Sequence, residues 1–429
     1  MARRPGLYRT VAAAIVAVAV VACGSVPPSV SPATTTGSGP SASPRPTGPL
    51  VLGIDWGKAP SVARPADAFS LASPGEVVGP NPSDGEIRSG HPQHFVGQAI
   101  MADVAVRPGG ELVSVGSVYP GWHPQAWTSS DAATWQLAEM GRTDFTFPVA
   151  LAIAGDGSVV AVGRSGSLPL AWTSPDGSRW TPHPVTILGD GSIAERMTAV
   201  VAAPDGFVAG GSVGPELFER HARFWTSPDG VTWSPVPDDP TAFADAEVRS
   251  IARFGAGYVA VGVLGSIQGY TGSVAWTSPD GRAWTRIDAP DLARGRAVAV
   301  VAAPFGGLVA VGSGLDEEEA LAWTSPDGRS WAIAPGEPSR RYPGKVRMTD
   351  AVVVGDEVIG VGNYVGLQRG TATSWVTRDG RTWRKAGSAP VQEQGELYAV
   401  AAGGPGLVGV GSFGAPDDYI PTVWLSPAR

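Results

Sequence analysis

The chain of 429 residues contains a single cysteine and five histidines, and charged residues make up only 16% of it. One cysteine excludes an internal disulfide framework. Histidine is too scarce to build a metal centre readily: His91 and His94 share a Gly/Pro-rich loop with no third ligand beside them. Neither a metal nor another cofactor is expected. A basic excess is also lacking, because 31 Lys and Arg face 39 Asp and Glu for a net charge of -8. That excludes the basic stripe by which nucleic acid is bound. No Walker-type phosphate loop and no G-x-S-x-G nucleophile elbow occurs. What the chain has instead is 58 glycines, 40 prolines and 43% hydrophobic residues, a composition that suits many short strands joined by turns around a packed core.

Residues 1 to 23 read as a secretory signal. Arg3, Arg4 and Arg9 form a charged start, and the Ala/Val run from Val11 to Val21 is too short to span a membrane comfortably. The run ends in Val20-Val21-Ala22-Cys23, which resembles the bacterial lipobox, whose cysteine is lipid-modified before cleavage. The resemblance implies lipidation at Cys23 and an extracytoplasmic protein held to the cell membrane, and it accounts for a cysteine that has no partner in the chain. Residues 24 to 48, dominated by Ser, Thr, Pro, Gly and Ala with Arg45 as their one charge, read as a tether that gives reach.

From there a ten-residue phrase recurs. AWTSPDGSRW, Ala171 to Trp180, has close copies beginning at Ala126, Phe224, Ala275, Ala322 and Ser374, and a shortened one at Val423. In the Ser-Pro-Asp-Gly core Pro presets φ, Asp bonds back to the turn and Gly tolerates positive φ, so each phrase predicts a tight hairpin with a tryptophan on either arm. Upstream of each phrase stand two more short runs, such as MTAVVAAPDG and FVAGGS from Met197 to Ser212, the second ending in a Gly pair or Val-Gly. Four short strands per unit near 50 residues predict an all-β fold, a seven-bladed β-propeller over residues 49 to 429, most simply a monomer.

The seventh unit has no fourth strand of its own after Trp424. Leu50 to Pro60 looks like a fourth strand standing alone, and of the 15 tryptophans Trp56 is the missing partner of Trp424. That segment is expected to close the ring and remove an exposed sheet edge. The connection from Ser61 to Phe95 has no strand-like run and is expected to cross the face that carries the variable loops.

The SPDGxxW turns resemble the Asp-box, or BNR repeat, of sialidases, sortilin-type receptors and related propellers, including photosystem II assembly-factor-like proteins. Ser227-Pro228-Asp229-Gly230-Val231-Thr232-Trp233 is the nearest copy, one residue shorter between Asp and Trp than the usual box. The resemblance implies a peripheral, structural turn, in which Asp176, Asp229, Asp280, Asp327 and Asp379 order backbone and do not catalyse.

Function is therefore expected on the opposite face, where loops carry Tyr119, Trp122 and His123, then Glu216 to His221, Gln268 and Tyr270, Asp316 to Glu319, Tyr364 to Arg369, and Asp417 to Tyr419. Aligning the first strands puts Ile100, Pro148, Arg196, Glu247, Arg296, Arg347 and Glu396 in one column at the mouth of the axial channel. Arg196, Arg296 and Arg347 converging there suit a carboxylate, as the arginine triad of sialidases does. The interleaved Glu247 and Glu396 suit mutual neutralisation, and the Asp316 to Glu319 run reads as a solvated loop tip. The sialidase Arg-Ile-Pro motif is not found, and the two placed carboxyl groups that glycosidic chemistry needs cannot be assembled. The first expectation is a lipid-anchored, non-catalytic propeller that binds a glycan, peptide or protein. The alternatives are a sialidase-like glycoside hydrolase and an assembly factor for a membrane complex.

Overall fold

A computed structural model describes Ile54, Trp56, Gly57, Lys58, Ser61, Val62 and residues 99–427, less 119–120, 189–190, 215–219, 267–268, 336–344, 366–369, 389–394, 404–405 and 414–419. The signal with Cys23, the tether, most of the 61–95 connection, Tyr119 and Tyr419 lie outside the described residues.

Among the described residues 29 strands form seven sheets, the blades of an all-β propeller. Blade three shows the plan: Glu195–Ala203, Gly206–Val213, His221–Ser227 and Ser234–Pro235 pair antiparallel in that order. The first strands of successive blades meet around the axis, and the last strands lie at the rim.

Apolar clusters fill the seams between neighbouring blades. Trp225 and Trp233 of blade three pack with Val160 and Val162 of blade two, and Trp127 and Trp135 of blade one with Val408 and Val410 of blade seven. All four indoles are buried. Truncating such a ring to alanine typically costs roughly 3–5 kcal/mol, so the recurring pair makes each seam a major source of stability.

Every blade also carries an irregularity at the same point of its first strand, where the pairing register skips Ala102, Val149, Thr198, Arg249, Val298, Thr349 or Tyr398. A bulge of this kind re-aims the extra side chain, and all seven of these residues line the axial cavity. The Val-Gly or Gly-Gly of the second strand is explained here. At Gly211 a Cβ would lie 1.9 Å from the Arg196 carbonyl oxygen, and at Gly312 one would lie 1.8 Å from that of Arg296, so only glycine admits the carbonyl ahead of the bulge.

This geometry corrects the column read from the sequence. In blade two the carbonyl over Gly163 belongs to Phe147, and Phe147 pairs with Arg164 where Arg196 pairs with Ser212. Phe147, not Pro148, occupies the column. The hairpin joining the first two strands is one residue longer in blade two than in blade three, with Gly163 sixteen positions after Phe147 where Gly211 is fifteen after Arg196, so spacing back from the glycine points to Pro148.

The expected closure is present. Gly57–Lys58 pairs antiparallel with the strand Ile420–Pro427, Gly57 opposite Leu425 and Lys58 opposite Trp424, as the outer strand of blade seven. Ile54, Trp56 and Trp424 share an apolar cluster with Ile359 and Val361 of blade six. The reading of Ser61 onward as strandless needs correction, because Ser61–Val62 pairs in parallel with Thr134 and Trp135 as a fifth strand on blade one. Two residues are too few to show an alternating pattern, and the pairing uses backbone groups alone. The closing segment thus hydrogen-bonds both blades that flank the ring's join.

Candidate functional site

The phrase turns, taken first, are held by local hydrogen bonds. In blade four the Ser278 hydroxyl accepts from Gly281 N–H at 2.8 Å, and Asp280 Oδ1 accepts from Arg282 and Ala283 N–H, each at 2.8 Å. The Trp284 indole donates to Gly281 O at 3.0 Å. Asp229, Asp327 and Asp379 take the same two backbone donors, while Asp176 takes the N–H and hydroxyl of Ser178. Backbone N–H donors hold the Asp280 and Asp327 carboxyls below the usual aspartate range. Each turn glycine meets the preceding blade: a Cβ on Gly281, at φ +75°, would stand 2.6 Å from Val208 Cγ2.

On the opposite face the axial mouth is a lattice of ion pairs. Glu247, 2% exposed, is shared by Arg196, Arg220 and Arg249, with Arg249 Nη1 at 2.7 Å and Arg196 Nε at 4.0 Å. Glu317 is shared by Arg296, by Lys345 at 3.1 Å and by Arg347 at 3.7 Å. Arg347 also reaches Glu396 at 3.0 Å, and Glu396 accepts from the Tyr398 hydroxyl at 3.2 Å. Among the described residues six cations therefore share three carboxylates. Burial alone raises Glu317, but Arg296, Lys345 and Arg347 together hold it below the ordinary glutamate range.

The sequence-predicted residues divide accordingly. Arg196, Arg296 and Arg347 all stand at this mouth, each paired with a carboxylate, while Arg196 Nε donates to the Ser212 hydroxyl at 3.2 Å. Tyr270 lies under Arg296, whose guanidinium carbon is 4.2 Å from the ring centroid. Trp122 lies over blade one with its ring 6.1 Å from Phe147, and Tyr364 packs into the seam beside Trp375. His123 is buried at 3% exposure and opens a strand, so it is not a loop residue. The Asp316 to Glu319 run is corrected in one member: Glu317 is 8% exposed and carries the Arg296, Lys345 and Arg347 pairs, held inward by a left-handed backbone at φ +60°.

Below the mouth, an axial cavity of about 180 Å³ holds groups the sequence reading passed over. Asp103 takes backbone donors from Val104 at 2.7 Å and from Leu151 of the next blade at 2.6 Å; Asp350 does the same with Ala351 at 2.8 Å and Val400 at 2.9 Å. Ser250 reaches Val300 N–H at 3.2 Å from the same repeat position, where the other blades have alanine. These side chains latch adjacent inner strands. Burial raises Asp103 to about 7, with Asp350 adding to it, and raises Asp350 to about 6. The signal was available as a lone acid in each of the apolar runs AIMADVAV and VRMTDAVVV. Among the described residues no group of three or more His, Cys, Asp or Glu is placed to hold a metal ion.

The fold and this face define a seven-bladed propeller with a structural turn face and a charged, variable one. Comparison with solved structures agrees on the fold. YCF48 bound to D1 peptide is similar at 16% identity and a TM-score of 0.50, covering 77% of this chain and 93% of that one. The Trypanosoma rangeli sialidase in complex with the inhibitor DANA is similar at 10% identity and a TM-score of 0.44, over 76% of this chain and 54% of that one. A protein of unknown function from Dyadobacter fermentans is similar at 15% identity and a TM-score of 0.42, over 68% and 94%. No family model and no curated protein matches the chain.

Proposed function

We propose that this chain is a lipid-anchored, extracytoplasmic binding propeller that takes an acidic segment of a peptide or protein across its variable face, without catalysis. The observation that carries this reading is the clustering of cations at the mouth, six to three carboxylates among the described residues. Three arginines around one glutamate, beside three more cations on two glutamates, leave a field that an incoming carboxylate completes. The signal-like N-terminus, Cys23 and the tether support the location, and the serine–aspartate–tryptophan turns support kinship with Asp-box propellers. A propeller of similar fold, YCF48, is bound to a peptide.

The test is a photo-crosslinking residue placed in the full-length protein in its own membrane, either at Leu315 on the variable face or at Val231 in a turn on the other. Both side chains are exposed. One defined adduct from position 315 and none from position 231 is expected. Equal adducts from both faces, or adducts from 231 alone, contradict the reading.

A further inference from the structure

The variable face has a second region that the cationic mouth does not explain. Among the described residues eight large apolar side chains are well exposed, and half of them, Phe145, Leu168, Leu188 and Ile193, lie on this face over blades one to three. They adjoin one another. Gly166 N–H donates to Phe145 O at 2.8 Å, Glu195 N–H donates to Ser167 O at 2.8 Å, and a Cβ on Gly191 would stand 3.5 Å from Leu168 Cδ2. Toward the axis Phe147 continues the patch, with the Arg164 guanidinium 4.4 Å from its ring centroid.

Phe145 is the most exposed of the four at 63%, and its backbone is left-handed at φ +54°. A bulky residue is strained there, and its ring gains nothing from burial. The conformation is held by Phe145 N–H donating to Gly121 O at 2.6 Å together with the bond from Gly166. Glycine would serve the fold better at this point. An exposed ring kept on strained backbone, inside a cluster of exposed apolar side chains, is what a contact surface requires.

Charge fixes the occupant. The apolar quadrant covers blades one to three, and the cations of the mouth, six to three carboxylates among the described residues, cover blades three to six, so the two regions share one face. We propose that the face binds an extended protein segment in two parts: bulky apolar side chains over Phe145, Leu168, Leu188 and Ile193, and neighbouring acidic side chains in the axial mouth. This rests on the variable face being the binding face, and adds the chemistry of the partner. An anionic membrane has the same two chemistries, but Arg196 and Arg296 are only 14% and 17% exposed. Recessed cations of that kind accept side chains entering the mouth more readily than a flat layer of headgroups.

The experiment uses the full chain in detergent and three fluorescent 14-residue peptides: one with Phe/Leu in its first half and Asp/Glu in its second, one with the apolar half replaced by Ser/Gly, and one with the acidic half replaced by Lys. Phosphatidylcholine vesicles with and without phosphatidylglycerol are the comparison. The apolar-acidic peptide is expected to bind at least tenfold more tightly than either other peptide and to outcompete both vesicles. Phe145→Gly is expected to weaken that peptide at least tenfold while the thermal midpoint holds or rises. Leu168→Ser with Ile193→Ser, which alters no buried contact of the ring's axis, gives the same loss. Equal binding of the apolar-acidic and the Ser/Gly-acidic peptides overturns this proposal and leaves the acidic-segment reading standing. Preference for the lysine peptide overturns both. Binding of anionic vesicles but of no peptide replaces the protein partner with a membrane and overturns the proposal, as does failure of all probes to bind.

Discussion

Trp56 and Ser374 are 318 residues apart in sequence, yet the buried Trp56 indole donates to the Ser374 hydroxyl at 3.1 Å. The bond ties the closing segment to blade six, while Gly57 and Lys58 pair with blade seven and Ser61 and Val62 with blade one. Closure is thus spread over three blades. Trp56→Ala is expected to cost roughly 3–5 kcal/mol by loss of a buried ring, and Ser374→Ala about 1–2 kcal/mol by leaving a buried N–H unbonded. Urea unfolding of the two variants measures both. If removal of residues 49–60 left the thermal midpoint unchanged, this account of closure would be wrong.

The two raised carboxyls of the axial cavity set a pH dependence. For Asp103 at about 7 and Asp350 at about 6, the folded state holds the proton more tightly than the unfolded chain does. Stability from these groups is full below the unfolded value near 4 and declines as pH rises through about 7. The turn aspartates, held low, act in the opposite sense: their contribution is present above about pH 4 and is lost in acid. The thermal midpoint is expected to peak between about pH 4 and 5 and to fall toward pH 8. Asp103→Asn is expected to flatten that fall, while lowering the midpoint at pH 5 because an amide nitrogen then faces the Leu151 N–H. A midpoint that climbs steadily from pH 5 to pH 8 contradicts the latch.

Ala132 occupies in blade one the turn position held by Gly281 in blade four, with φ +58° against +75°. Its Trp135 indole still donates to the turn carbonyl, at 2.8 Å. Gly281→Ala is expected to cost about 2–3 kcal/mol, combining left-handed strain with crowding against Val208. Ala132→Gly, which relieves strain but empties a buried methyl site, is expected to change stability by less than about 1 kcal/mol. Chemical denaturation of the pair separates the strain from the packing.

Asp280 accepts from two backbone N–H groups of its own turn. Asp280→Ala is expected to cost about 1–2 kcal/mol through two lost backbone bonds and to leave peptide binding on the opposite face unchanged. Changed affinity at unchanged temperature and pH would place function on the turn face instead.

Much of this architecture was legible in the sequence because repetition amplified it. The tryptophan pairs gave the blade count, and Trp56 gave the closure before any contact was known. The mouth was legible only in part. Arg196, Arg296 and Arg347 fall into a column because each stands two residues ahead of a bulge, but hairpin length varies by one residue between blades, so spacing alone puts Pro148 where Phe147 stands. Glu317 was misread because an acidic run ordinarily faces water, and nothing local shows that a left-handed backbone turns one member inward to meet Arg296, Lys345 and Arg347. Asp103 and Asp350 occur in two blades of seven, too few for a repeat to announce them. The apolar quadrant was missed for a related reason: Phe145, Leu168 and Ile193 come from three different connections and converge only when neighbouring blades pack.

The central claim is that the cationic mouth binds an acidic segment and performs no chemistry on it. The measurement that tests it most directly is the affinity of the full chain for a fluorescent peptide carrying several Asp and Glu, at low and high salt, for wild type and for Arg296→Gln with Arg347→Gln. A fluorogenic sialoside is assayed in parallel. The account predicts binding that weakens at least tenfold in the variant and falls with salt, and no sialoside turnover; the variant's midpoint falls because Glu317 loses two of its three partners, and circular dichroism at the assay temperature shows it still folded. Affinity indifferent to both arginines, or turnover of the sialoside that the variant abolishes, would contradict it.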